Sequence, residues 1–147
     1  MDKTAPIIKI SGLEQKFYDK KRHKFAVTAM DGNGLAYVKV TIHYENGKRA
    51  DQCIMLKETD FGDKHTAQIA LEEYQGYQTV FCEAQDVAGN VSYVGEKGVT
   101  TCLVSENRAV RTYYRYPSVV CAVFGGILTG VVLVLRRKNK KGVLTEK

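Results

Sequence analysis

Residues 36–47 read Ala36-Tyr37-Val38-Lys39-Val40-Thr41-Ile42-His43-Tyr44-Glu45-Asn46-Gly47. Val38, Val40, Ile42 and Tyr44 alternate with Lys39, Thr41 and His43, a period of two that places one apolar face against a core and leaves the other toward water. Asn46-Gly47 then supplies the pair of residues that a tight two-residue hairpin turn favours. The same alternation recurs on both sides. Phe25, Val27 and Ala29 interleave with Lys24 and Thr28, and Val80, Cys82 and Ala84 interleave with Phe81, Glu83 and Gln85. Asp31-Gly32-Asn33-Gly34 and Ala88-Gly89-Asn90 punctuate the runs. The spacing predicts strands over 7–10, 24–30, 36–44, 52–57, 66–70, 77–85, 91–94 and 99–104, with at most a brief helical turn over 71–77. Short strands separated by turn signals describe an all-β sandwich of two antiparallel sheets over residues 2–104.

The chain changes character near its end. Residues 117–135 carry no charge, and at about 1.5 Å per residue a helix of that length reaches about 28 Å, the thickness of a bilayer's hydrocarbon core. Its anchoring residues are Pro117, Val119, Val120, Phe124, Ile127, Leu128, Val131, Val132, Leu133, Val134 and Leu135. Arg136, Arg137, Lys138, Lys140 and Lys141 follow at once, against Arg108, Arg111 and Arg115 on the other flank. That bias sets the topology: a single-pass protein with residues 136–147 as a basic cytoplasmic tail and the sandwich outside. Tyr113, Tyr114 and Tyr116 stand where amphipathic rings prefer the headgroup layer, so 105–116 reads as a juxtamembrane connector. Gly126 and Gly130 form a small-xxx-small pair of the kind that lets two spans approach closely, although glycine is common in membrane helices generally.

Charge and chemistry exclude several classes. The chain of 147 residues has a net charge of +6, but residues 136–147 hold six Lys/Arg and one Glu. The rest is balanced, with 16 basic and 15 acidic residues, and offers no electrostatic footprint for nucleic acid. Cys53, Cys82, Cys102 and Cys121 form no Cys-x-x-Cys pair, and His23, His43 and His65 stand at no metal-ligand spacing from them. Cys121 lies in the apolar run, so the sandwich holds at most one disulfide, with free buried thiols as the alternative. Asp2, Asp31, Asn33, Asp86 and Asn90 would supply oxygen ligands for Ca²⁺ if they met at one end of the sandwich. Turn chemistry accounts for them without an ion, and no EF-hand spacing is present, so no metal is expected. Asn90-Val91-Ser92 fits a glycosylation sequon, and turn formation explains Asn90 equally. No Gly-x-Ser-x-Gly, His-Glu-x-x-His or phosphate-binding glycine loop occurs, and Glu72-Glu73 reads as a solvated edge. The expectation is a non-enzymatic chain without cofactor. Tyr18, Tyr37, Tyr74, Tyr77 and Tyr93 are the leads for contact with an extracellular protein or glycan.

Three stretches together carry a resemblance: Asp2-Lys3-Thr4-Ala5-Pro6-Ile7-Ile8, Gly34-Leu35-Ala36-Tyr37-Val38, and Ala84-Gln85-Asp86-Val87-Ala88-Gly89-Asn90. Residues 2–104 resemble a bacterial immunoglobulin-like domain of the type repeated in cell-surface proteins. The resemblance implies a first strand after a linker, a turn between the last two strands at Asp86–Asn90, and a role as stalk, spacer or adhesive module beside neighbouring repeats. The antibody-type tryptophan and inter-sheet disulfide are absent: the chain has no Trp, and the strand with Phe25 has no Cys. Arg115-Tyr116-Pro117-Ser118 stands where a wall-sorting Leu-Pro-x-Thr-Gly element would be, so the apolar run is expected to remain as a permanent anchor. Met1 leads directly into this domain with no secretory signal, which suggests the carboxyl-terminal part of a longer surface protein. Two roles follow: a surface module in its own right, or the membrane tether of a larger surface enzyme or receptor.

Overall fold

The computed structural model describes residues 3–57, 62–95 and 100–142. Two compact units divide the chain, residues 1–108 and residues 109–147. In the first, nine strands are described: β1 (Ile7–Ser11), β2 (Phe17–Tyr18), β3 (Arg22–Met30), β4 (Leu35–Tyr44), β5 (Gln52–Lys57), β6 (Lys64–Glu72), β7 (Gln78–Asp86), β8 (Val91–Val94) and β9 (Thr101–Val104). The second unit takes in most of α1 (Arg108–Arg115) and all of α2 (Pro117–Gly142).

One sheet has the order β1-β3-β6, and the other β2-β9-β7-β4-β5 with β8 beside β7. Inward residues of both sheets meet in one cluster: Phe25, Val27, Ala29, Ile69 and Leu71 from the first, and Val38, Val40, Ile42, Val80, Cys82 and Ala84 from the second. The molecule is therefore a β-sandwich with its core between two sheets. The alternation in β4 is why: Val38, Val40, Ile42 and Tyr44 are buried, and the residues between them are not. An irregularity in register between Leu35 and Tyr37 shifts the phase, so that Leu35 and Val38, three positions apart, both point inward.

The expected strands are present with small changes at their ends. β5 and β8 match the reading, β6 extends two residues at each end, and residue 99 lies outside the described residues. Two features were not anticipated. β2 is only two residues long, too short for periodicity to register, and runs parallel to β9. The chain reaches it by leaving β1 at Gly12, whose φ of +93° favours glycine and where a Cβ would meet the Phe25 backbone at 3.2 Å. There is no helical turn over 71–77, because Leu71 and Glu72 complete β6 in pairing with His23 and Arg22. Asn46 and Gly47 both take positive φ, 77° and 60°, as their turn requires, yet the hairpin loop is longer than two residues. The last ladder pair is Ile42 with Gln52, and His43 closes the loop onto Asp51 at 2.9 Å.

In the second unit, only Tyr116 separates the helices. The Tyr116 amide donates to the Thr112 carbonyl at 2.9 Å, and the Val120 amide donates to the Tyr116 carbonyl at 3.1 Å. Pro117 opens α2, where its missing N–H costs nothing and its fixed φ suits a first helical position. The helix runs past Leu135 through Arg136 and Arg137 to Gly142.

Candidate functional site

α2 contains one window, Pro117–Arg137, that is long and apolar enough to cross a membrane, and none of it is buried. Phe124, Ile127 and Leu128 are 63%, 58% and 66% exposed, as are their apolar neighbours along the helix. So many exposed aliphatic side chains on one helix are unfavourable in water and need an apolar surrounding. Gly126 and Gly130 leave open space where a Cβ would stand. The Thr129 hydroxyl is bonded back to the Gly125 carbonyl at 2.8 Å, which hides its polar hydrogen within the helix. Arg136 and Arg137 are exposed; Lys138, Lys140 and Lys141 lie on the helix backbone, with their side chains outside the described residues. Tyr113 and Tyr116 are exposed and Tyr114 half-buried, its ring edge-on to Tyr113 at 5.3 Å.

The outer face of the larger sheet carries a second feature. β4 turns Tyr37, Lys39 and Thr41 outward, β7 turns Phe81 and Glu83, and β8 turns Tyr93. Lys39 Nζ lies 3.1 Å from Glu83 Oε2, and the Tyr37 hydroxyl donates to the other oxygen of that carboxylate. Tyr37 and Lys39 hold the Glu83 carboxyl below its ordinary range, and the carboxylate in turn pushes the Tyr37 phenol up to about 12. Lys39, Thr41, Phe81, Glu83, Tyr93 and Val94 line a shallow groove of about 160 Å³ here, too small and open for a drug-sized ligand. Sequence reasoning named Tyr37 and Tyr93 singly. It missed the cluster, because nothing local to either strand fixes the register that sets Glu83 beside Lys39.

Of the other tyrosines, Tyr74 is buried and donates to the Glu45 carbonyl, while Tyr18 and Tyr77 are half-buried. Tyr18 donates to the Gly12 carbonyl at 3.0 Å and stacks on His23. Tyr93 is 63% exposed.

The loops proposed for calcium serve the fold. The Asp86 carboxylate accepts the Asn90 backbone amide at 2.8 Å and the Asn90 side-chain amide at 2.7 Å, and Asn90 also reaches the Thr4 carbonyl. Asp31 accepts the Asn33 amide at 2.8 Å in the equivalent way. Asp2 lies outside the described residues, among which no group of three or more His, Cys, Asp or Glu is placed to hold a metal. All four cysteines are free. Burial pushes the Cys82 and Cys102 thiols up to about 12, which makes them inert core residues, whereas Cys53 is exposed on β5.

No family model matches the sequence, and no curated protein matches it. Solved structures give distant likenesses. A superoxide reductase (neelaredoxin) from Ignicoccus hospitalis has 7% identity and a TM-score of 0.44, over 69% of this chain and 80% of that one. Spo0M, a sporulation control protein from Bacillus subtilis, has 7% identity and a TM-score of 0.42, over 80% and 56%. The CARDB domain of a Pyrococcus furiosus protein, solved with di-metal ions, has 12% identity and a TM-score of 0.36, over 67% and 86%. None of these likenesses identifies a family or an activity.

Proposed function

We propose that the chain is a non-enzymatic, single-pass membrane protein that displays an immunoglobulin-like sandwich outside a bacterial cell, as a stalk or binding module, with its carboxyl terminus in the cytoplasm. The observation that carries this reading is the unburied window Pro117–Arg137. Eleven Val, Ile, Leu and Phe residues lie within residues 117–135. At the centre of a bilayer each favours insertion by roughly 0.3–0.6 kcal/mol, a total of several kcal/mol, whereas each arginine there costs about 2.5–3.5 kcal/mol. Arg136 and Arg137 therefore stop the helix from sliding further through.

The strand order supports the immunoglobulin-like reading of the sandwich. Its first strand is split between the sheets, β1 beside β3 and β2 parallel to the last strand β9, and β4 and β7 form the centre of the larger sheet. The Asp86–Asn90 turn and the outward Tyr93 suit a module read from its surface rather than through a pocket.

Alkaline carbonate extraction and flotation test the anchor. The full chain should stay with the membrane fraction, and a variant lacking 117–137 should be released. Protease added to intact cells should then remove the sandwich. A chain released by carbonate, or one fully protected from protease until lysis, would overturn the reading.

A further inference from the structure

α1 carries Arg108, Arg111 and Arg115 at i, i+3 and i+7 and contains no acidic residue. At about 100° per residue these arginines and Thr112 occupy one arc of roughly 100°, and Ala109, Val110, Tyr113 and Tyr114 fill the opposite side. The helix is thus cationic along one face and aromatic and aliphatic along the other. Tyr113 is 50% exposed, and the Tyr113 and Tyr114 rings meet on the apolar side. A helix with one cationic and one aromatic face suits an environment that is hydrocarbon on one side and charged on the other. That environment is adjacent in the chain. Tyr116 alone separates α1 from α2, and every residue of α1 lies within about 14 Å of Pro117 along a helical path. Pro117 cannot donate a helical hydrogen bond across the joint, which makes this the place where the helix direction can change.

We propose that α1 is an interfacial helix that binds anionic phospholipid. Val110, Tyr113 and Tyr114 face the acyl boundary, and the guanidinium groups of Arg108, Arg111 and Arg115 hold headgroup phosphates by charge-assisted hydrogen bonds. The site deepens the anchor reading and rests on it, because only a spanning α2 brings α1 to the headgroup layer. Continuity with the span favours lipid over an acidic protein as the occupant.

The chain has no tryptophan, so Tyr113→Trp installs a single reporter. The full chain carrying it is reconstituted into vesicles of phosphatidylcholine alone and of phosphatidylcholine mixed with phosphatidylglycerol, and quenching by lipids brominated near the headgroup is read. The expected result is blue-shifted, strongly quenched emission in the mixed vesicles. Quenching should fall in phosphatidylcholine alone, in high salt, and when Arg108→Gln, Arg111→Gln and Arg115→Gln are combined, each arginine contributing roughly fivefold to partitioning. Flotation should be unchanged throughout, since α2 still anchors the chain. Equal quenching in both lipids and in the triple variant would overturn the proposal while leaving the anchor intact. A chain that floats with neither vesicle would overturn the anchor reading and this proposal with it.

Discussion

Asp86 is 1% exposed, and both of its carboxylate oxygens accept hydrogen bonds from Asn90. Asp86→Ala would leave the Asn90 amide without its acceptor in a half-buried turn, at a cost of about 2 kcal/mol. The β-sheet melting transition, followed by circular dichroism of the detergent-solubilised chain, is expected to fall by about 8–16 °C. Glu83 gives a prediction with a sign. Its folded pKa lies below the ordinary 4.5, so its bonds stabilise the sandwich above that value and are lost as pH falls through the folded pKa. Tyr37 is raised from 10 to about 12, so its contribution is complete below pH 10 and is lost as pH rises toward 12. Glu83→Gln should flatten the loss of stability below pH 4.5, leaving the slope due to Glu14, Asp51 and Glu73, whose carboxyls are also held low. The same substitution should return the Tyr37 phenol toward 10 in an ultraviolet titration. A phenol that still titrates near 12 would mean burial, and not Glu83, sets its acidity.

Elements differ in what a substitution does to them. Leu71, fully buried on β6, bridges the sheets, and Leu71→Ala should cost about 2–5 kcal/mol in the same melting measurement. Met55 on β5 is 48% exposed, and Met55→Ala should stay within about 0.5 kcal/mol. In α2, Ile127→Arg should add about 2.5–3.5 kcal/mol to insertion and shift a measurable fraction of the chain into the carbonate-soluble pool. The elements that sequence predicted best are those with apolar residues on one face and polar residues on the other, β4 and β7 above all, because burial of that face is what forms them. β6 reads short because Lys64, His65 and Glu72 carry no apolar signal and Leu71 reads as the start of a helical turn, although all four continue the ladder against Met30, Ala29, Arg22 and His23. β2 is held by its bonds to β9 and by Leu103 and Ser105 amides that donate to Lys16 and Tyr18, contacts made across most of the chain and invisible locally. The amphipathic character of α1 was present in the 3.6-residue spacing of its arginines, but counting charges and rings over 105–116 as a block concealed it.

At the scale of the whole molecule, the two units have opposite requirements. The sandwich closes its core between two sheets and turns mixed charge outward, whereas α2 exposes apolar side chains from Val119 to Leu135 and is basic over its last turns. On the proposed reading a bilayer satisfies the second unit, and the charge bias at its ends sets which way the first unit faces. The cysteines provide the reporter for that orientation. Cys82 and Cys102 are buried, and on the proposed reading Cys121 lies within the bilayer, which leaves Cys53 on β5 to react from water. The most direct test is therefore labelling of intact cells with a membrane-impermeant maleimide, with Cys53→Ser as the control. Labelling that needs no permeabilisation and disappears in Cys53→Ser is the expected result; labelling only after the membrane is opened would place the sandwich inside the cell and contradict the account.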